Sequence, residues 1–361
     1  MNTYKNNFAD RRKKINELCK NLTGVEDKTL LKSLFSIANY EDKFGEEGRN
    51  RIASTLFTEY TDKELMENFY RDKFCNMGEK QMTHLFQELY NRATVKNGND
   101  PRYVISVKNI EDGVMGFMET YSNALEINKK LINRFKNNQS TNVHSHNATT
   151  AGAMFANVLL HETQHTCQME NIVKYACGEI DDKEEKARAC MSLMKVVVEE
   201  IAFNSNDKAL SNYLEKNYWY DFDEHDANMY PMMYINDMYK KGEIKDRLFA
   251  EVMHSWEEDS LGFRVDWNSK GKVNKNFDDR IKNMENVANY CIDIFDKKVQ
   301  DGAIKKDMME TLTEYMKVDE NGDSPFRTRI RNDFNMCAQV FFNKDKYMKS
   351  EVKQEEYGRT L

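Results

Sequence analysis

The stretch NVLLHETQH, residues 157–165, places two histidines four positions apart directly after an apolar run. In a helix, side chains four residues apart share one face, so the imidazoles of His161 and His165 can bind one metal ion. Glu162 lies about 100° around such a helix from His161, where it reaches a water at the metal without being a ligand. The HExxH pattern therefore predicts a metal-binding helix with Glu162 as general base. The alternative is a pair of surface or capping histidines.

A catalytic zinc site takes three protein ligands and keeps one position open, so a third ligand is expected elsewhere in the chain. Glu224, in the segment DEHDAN, precedes a helix-forming run and is the preferred candidate. Asp226 or Asn228 could then hydrogen-bond a ligand histidine and hold its tautomer. Glu199 and Glu200, in the apolar segment VVVEEIAF, remain the rival ligands.

The rest of the chain is predicted to be mainly helical, because only 3 prolines interrupt its 361 residues. One region differs, since short β-branched segments there alternate with turn residues. The predicted strands are Tyr103–Val107, Gly113–Met118 and Ala124–Asn128, and the main predicted helices are Gln81–Tyr90, Lys129–Phe135, Thr149–Met169 and Lys183–Phe203. The expected fold class is α+β and predominantly helical, with a small mixed sheet.

Turn residues at 96–102 mark a boundary between units. We predict an N-terminal helical unit at 1–95, a catalytic domain at 96–240 and a C-terminal helical unit at 241–361.

Composition excludes several classes of protein. Lys and Arg number 53 against 60 Asp and Glu, and a net charge of −7 favours neither nucleic acid nor a membrane surface as partner. The longest apolar stretch, residues 151–160, is about half of the roughly 20 residues that cross a bilayer. The polar N-terminus lacks the apolar core of a signal peptide, and 7 scattered cysteines without a CxxC pair fit reduced thiols. A cytoplasmic protein is expected, and export to a host would need a route without a signal peptide.

The segments LLHETQHTCQ and EHDAN resemble the zincin-type metallopeptidases of bacteria and phages, which combine HExxH and a nearby Gln with a later Glu-x-Asp-Ala-Asn. The stretch GFMETYSNALEINKKLI is similar to the strand and turn before their active-site helix. The resemblance spans about 103–234. It implies a zincin-like core, one Zn²⁺ held by His161, His165 and Glu224 in a gluzincin-like site, Glu162 as base, and a peptide or protein substrate. Gln168 matches the family's Gln and could orient the helix or a ligand.

Peptide hydrolysis also needs a donor for the tetrahedral oxyanion. The sequence offers four candidates without choosing among them: His225, Tyr230, Tyr234 and His254. The strand Gly113–Met118 or the strand Ala124–Asn128 could be a sheet edge that pairs with an extended substrate.

Two other functions compete with a zinc metallopeptidase. A binding or structural protein could hold zinc in a closed site of four ligands. Alternatively, two histidines and one carboxylate can hold iron(II) in an oxygenase, although Glu162 would then have no role. The oligomeric state is not indicated by the sequence.

Overall fold

Most of the described chain is helical, as expected for the predicted α+β class. The computed structural model describes residues 2–22, 60–99, 101–111, 114–119, 124–137, 151–244 and 276–336. The N-terminal helices are α1 (Asn2–Asn21), α2 (Asp62–Glu67), α3 (Arg71–Phe74), α4 (Glu79–Lys96) and α5 (Lys129–Lys136). They are followed by α6 (Ala151–Cys177), α7 (Lys183–Asn204), α8 (Lys208–Lys216), a 3₁₀ turn (Tyr218–Tyr220), α9 (Phe222–Lys240), α10 (Asn276–Lys298), α11 (Ala303–Met316) and α12 (residues 325–336).

The sheet of the described residues has the strands β1 (Val104–Lys108), β2 (Gly116–Glu119) and β3 (Ala124–Asn128), in the order β1-β3-β2. β3 pairs with β1 in parallel and with β2 in antiparallel orientation, so the sheet is mixed. Alternate residues of β1 and β3 are buried, which is the period-2 pattern of a sheet with one face on the core. The predominantly helical fold with a small mixed sheet is confirmed.

Helix α6, which contains HExxH, lies at the centre of the described core. Helices α1, α4, α7 and α9 and strand β2 all pack against it. Residues 153–156 and Leu159, Leu160, Ile172 and Val173 are fully buried, so the helix is apolar around most of its first half. The predicted helix Thr149–Met169 extends instead to Cys177, and its first two residues lie outside the described ranges.

A glycine lets strand β2 lie close over α6. A Cβ atom on Gly116 would come within 3.1 Å of Val158 Cγ1 and of Ile127 Cδ1, which is tighter than ordinary packing. A larger residue would therefore push β2 away from the helix. The close approach brings Met118, two residues further along β2, to the turn of α6 that carries Glu162.

The first turn of α9 is fixed by its N-cap, Asp221, whose side chain accepts hydrogen bonds from the backbone N–H groups of Asp223 and Glu224. This is the usual role of aspartate before a helix, where it satisfies donors that have no partner within the helix. The packing of α9 on α6 then places Glu224 opposite the two histidines.

The apolar core of the described residues is continuous from α1 to α12 and includes Ile15, Phe86, Leu159, Met284 and Phe326. The division into units at 1–95, 96–240 and 241–361 stays a prediction. None of the described helices is both long and apolar enough for a membrane crossing.

Candidate metal centre

His161 and His165 lie one turn apart on α6 and point at a common centre. Their Nε2 atoms are 3.1 Å apart, and the rings meet nearly edge to face with centroids 4.8 Å apart. Each side chain keeps a small exposed fraction, so the centre is open to solvent on one side.

Glu224 of α9 brings its carboxylate to the same centre. Its Oε2 lies 3.6 Å from His161 Nε2, and its Oε1 lies 3.5 Å from His165 Nε2. The ligand atoms of these three residues all fall within 4.8 Å of one another, and no other histidine, cysteine or acidic residue of the described ranges completes a larger group with them. The structure thus brings together the three residues that the sequence selected.

The rival carboxylates of α7 lie outside this group of ligand atoms. The Glu199 side chain is half exposed, with its Oε1 3.7 Å from Lys195 Nζ, and Glu200 is buried. Of the three candidate carboxylates, Glu224 is the one that reaches the histidines.

Side-chain amides hold the far nitrogen of each histidine. Asn228 Oδ1 lies 2.8 Å from His161 Nδ1, and Gln168 Oε1 lies 2.8 Å from His165 Nδ1. Gln168 Nε2 also donates to the backbone carbonyl of Asp223, 2.9 Å away, which fixes the direction of that amide. An amide oxygen only accepts, so the proton of each neutral imidazole lies on Nδ1.

This tautomer makes the centre suitable for a cation. Both Nε2 atoms then carry lone pairs, and they face each other and a carboxylate at 3.1–3.6 Å. Such a set of acceptors without a proton between them repels itself, whereas a divalent ion binds to all of them. The donor chemistry therefore fits a metal of the zinc type.

The two histidines differ in their affinity for protons. Burial and, to a smaller extent, the neighbouring His165 together lower the pKa of His161 to about 4, against the charge of Glu224. Burial also lowers the pKa of His165, but the charges of Glu224 and Glu162 outweigh burial and the net shift is upward. Besides the two Nδ1 protons, the pair therefore holds at most one additional proton near neutral pH, at an Nε2 atom that a metal ion can take over.

Glu162 projects beside this centre without joining the ligand group. Burial, with a smaller contribution from the charge of Glu224, raises the pKa of Glu162 to about 7. His165 and a hydrogen bond from the backbone N–H of Met118 in β2 act in the opposite direction. A carboxylate with a pKa near neutrality is suited to take up and release a proton.

Two residues near Glu224 were missed by the sequence reasoning. Tyr218, in the 3₁₀ turn before α9, donates its hydroxyl to Glu224 Oε2 at 2.5 Å, while 43% of the residue is exposed. The Nζ atom of Lys195, on α7, lies 3.0 Å from Oδ1 of Asp221, the N-cap residue of α9. A lysine inside the apolar run MSLMKVVV is a signal that could have found Lys195, but no spacing in the sequence points to Tyr218.

Lys195 is the positive charge of a largely acidic neighbourhood. Its pKa is raised well above the usual value, because the carboxylates of Asp221, Glu199 and Asp223 outweigh the effect of burial. A cation that stays charged behind α9 partly offsets the negative charge that gathers at Asp221, Asp223 and Glu224.

The three predicted oxyanion donors that lie within the described residues have their polar atoms or rings engaged elsewhere. Tyr230 donates to the backbone carbonyl of Ala93, Tyr234 is buried beneath Lys96, and His225 pairs with Asp333. His254 lies outside the described residues. Of the two residues expected to orient a ligand histidine, Asn228 does so, whereas Asp226 binds two arginines.

Comparison with known proteins finds one related family. Residues 55–189 match the family described as metallopeptidase toxin 3 (Tox-MPTase3). The matched range contains His161, Glu162 and His165 and ends before Glu224; it is less than half of the chain. The match supports a metallopeptidase family, whose members are peptidases. No curated protein and no solved structure matches the chain.

Proposed function

We propose that this protein is a zinc-dependent metallopeptidase of the zincin type, with a gluzincin-like site. His161, His165 and Glu224 would hold one Zn²⁺, and Glu162 would be the general base. The observation that carries the proposal is the convergence of the two histidine Nε2 atoms and the Glu224 carboxylate, which comes from a second helix, at distances of 3.1–3.6 Å. Beside them lies Glu162, whose pKa is about 7. The matched family agrees with this chemistry.

A bound zinc ion would supply a Lewis acid that polarises the scissile carbonyl and lowers the pKa of a water molecule towards neutrality. Glu162 would accept a proton at its carboxylate as the water oxygen forms a bond to the carbonyl carbon. The same carboxyl group would then deliver the proton to the departing amine nitrogen as the C–N bond breaks. Water thus adds across one peptide bond, and the glutamate returns to its starting state.

Strand β2 is positioned to present the substrate to Glu162. It is an edge strand of the sheet within the described residues, and the backbone N–H of Met118 already reaches Glu162. An extended peptide beside β2 could form main-chain hydrogen bonds without strong side-chain selection. We propose β2 as the substrate-aligning strand.

Tyr218 is the proposed oxyanion donor. Its hydroxyl lies 2.5 Å from Glu224 Oε2, one of the two carboxylate oxygens that face the histidines, and the residue is partly exposed to solvent. Burial and the charge of Glu224 raise the pKa of Tyr218 far above neutrality, so the hydroxyl keeps its proton. In the loaded enzyme this O–H could turn from Glu224 towards the developing negative charge on the substrate.

The two competing functions make different use of the same residues. A zinc staple needs a closed set of ligands, whereas the group in the described residues has three members and an open side. An iron oxygenase would leave the buried Glu162 beside the centre without a role. Both features favour hydrolysis.

Elemental analysis combined with a proteome-wide cleavage assay tests the proposal. Wild-type protein should contain one zinc per chain and generate new peptide termini in a cell lysate. Glu162→Gln should retain zinc and lose at least about 100-fold of the cleavage rate, since a positioned base contributes on this order. Glu224→Gln should lose zinc, and Glu199→Gln is the matched control that keeps both zinc and cleavage.

Three results would contradict the proposal. Full activity of Glu162→Gln would exclude this residue as the base. Iron in place of zinc would favour an oxygenase, and bound zinc without any cleavage would favour the structural role.

A further inference from the structure

Helix α9 has two polar faces with different neighbours. Glu224 and Asn228 are four residues apart and share the face that meets His161. His225 and Asp226 lie about 100° and 200° further around the helix, so they point away from the metal centre. Both are buried, and their partners come from other parts of the chain.

Asp226 binds two arginines. Arg188 of α7 donates to Asp226 Oδ2 from Nε at 3.1 Å and from Nη2 at 2.5 Å. Arg329 of α12 donates from Nη2 to Asp226 Oδ1 at 3.0 Å. The Asp226 side chain is 2% exposed, so both carboxylate oxygens depend on these partners.

Helix α12 makes a second contact with the same face of α9. Asp333 Oδ2 lies 3.2 Å from His225 Nε2 and accepts from Arg329 Nε at 3.2 Å. The ring of Phe334 packs edge-on against His225, with centroids 5.3 Å apart. Arg329 therefore binds both Asp226 of α9 and Asp333 of α12. Asp333 in turn contacts His225, so the neighbouring α9 residues His225 and Asp226 are both connected to α12.

These contacts restrain the rotation of α9 about its own axis. A side-chain tip lies about 5–6 Å from a helix axis, so a rotation of about 10° would move the Glu224 carboxylate by roughly 1 Å. Metal affinity is sensitive to such displacements, and the loss of groups that orient ligands typically weakens binding about 10–100-fold.

We infer that Arg329 is a positioning residue for the metal centre. Arg329 lies on α12 and holds α9 by the face that points away from the centre. The inference rests on the proposed function, because it concerns the same three ligands. Arg329 touches neither metal nor substrate. It acts through Asp226 and His225 on the helix that presents Glu224 and Asn228.

The test is the zinc affinity of the full-length protein, measured by competition with a chromophoric chelator. Arg329→Gln should bind zinc about 10–100-fold more weakly than wild type. Arg327→Gln is the matched control, because Arg327 lies on the same helix and makes a two-pronged pair with Glu285 of α10, at 2.9 and 2.6 Å. Its zinc affinity should stay within about twofold of wild type.

A second readout separates positioning from general loss of stability. The visible spectrum of the Co²⁺-substituted protein reports ligand geometry, and it should change in Arg329→Gln but not in Arg327→Gln. Circular dichroism first establishes that each variant is folded. If Arg329→Gln does not fold, Arg329→Lys and Asp333→Asn replace it. Arg329→Lys should weaken zinc binding less than the loss of the whole charged group would, because lysine keeps the positive charge but not the two-pronged hydrogen bonding of the guanidinium.

The outcomes distinguish this inference from the proposed function. A wild-type protein that binds no zinc would overturn both. A wild-type protein that binds zinc, together with a folded Arg329 variant of unchanged affinity and Co²⁺ spectrum, would overturn the positioning role alone. Equal weakening in Arg329→Gln and Arg327→Gln would also overturn it.

Discussion

Helices α6 and α9 each present two side chains, four residues apart, to the same centre, but the two pairs do different work. On α6 both members, His161 and His165, direct their Nε2 atoms to the centre, where both would be ligands of the proposed ion. On α9 Glu224 offers a carboxylate, while Asn228 fixes the proton of His161. One spacing therefore supplies two of the proposed ligands in the first helix, and a proposed ligand with a group that orients His161 in the second.

The two helices also differ in what holds them. The first half of helix α6, before the histidines, is surrounded by apolar side chains of the core, and its position follows from packing. The N-terminal half of α9 is held by polar contacts from three directions, through Lys195 to Asp221, Arg188 and Arg329 to Asp226, and Tyr218 to Glu224. The geometry of this half of α6 should therefore depend on the apolar residues around it, whereas the geometry of α9 should respond to the loss of its polar partners.

The largest expected effect concerns the carboxylate on α9 and its hydroxyl partner. Tyr218→Phe removes the O–H but keeps the ring, so kcat should fall about 100-fold while zinc content is retained. Steady-state kinetics with a peptide found by the cleavage assay would check this. A fall in zinc content with an unchanged kcat of the loaded fraction would instead assign Tyr218 to the support of Glu224.

A smaller effect is expected when one of the two amides that contact the histidines is removed. Asn228 lies on α9 and Gln168 on α6, so the two substitutions compare the helices directly. Asn228→Ala and Gln168→Ala should each weaken zinc binding about 10-fold, because each frees one Nδ1 proton from its acceptor. Chelator competition measures both. Gln168 also bonds to the Asp223 carbonyl and so joins the two helices. If affinity fell for Asn228→Ala alone, the orientation of His165 would depend on packing rather than on Gln168.

The smallest effect concerns the acid of α6 in metal-free protein. Burial raises the pKa of Glu162 from about 4.5, its value in the unfolded chain, to about 7 in the folded protein. The unfolded chain therefore loses its proton first, and the free energy of unfolding falls as the pH rises from about 4.5 to 7. Glu162→Gln should equal wild type in unfolding free energy at pH 4 and exceed it by about 1–2 kcal/mol at pH 8. Urea unfolding in the presence of a chelator measures both. An equal difference at the two pH values would show that the effect is not one of ionisation.

Much of the α6 site can be read from local sequence, because it depends on helical periodicity alone. An apolar run, two histidines at i and i+4 and one glutamate between them define a face and a base within one element. The strands near residues 104–128 are likewise local, since alternation and turn residues mark them. β3 has the predicted bounds, whereas β1 and β2 are shifted or shorter at their ends.

The α9 half of the site depends on contacts between distant segments of the chain, so local sequence patterns do not determine it. The segment EHDAN favours Glu224 over Glu199 and Glu200 in the sequence, but helical periodicity and the distance from HExxH do not exclude the two rivals. The packing angle between α6 and α9 selects Glu224 in the structure, and the neighbouring α7 and α12 decide that Asp226 meets arginines and not a histidine. Tyr218 reaches Glu224 through a 3₁₀ turn whose path no pattern in the sequence predicts.

The sequence by itself determined the helical character of the chain, the small sheet, and the pair of histidines with its adjacent acid, because these follow from periodicities of 2 and 3.6 residues within single elements. Only the tertiary structure decided which distant carboxylate completes the group, which hydroxyl borders it, and which arginines hold its helix. These choices depend on the rotation and approach of whole helices, which are set by packing between segments up to about 170 residues apart along the chain.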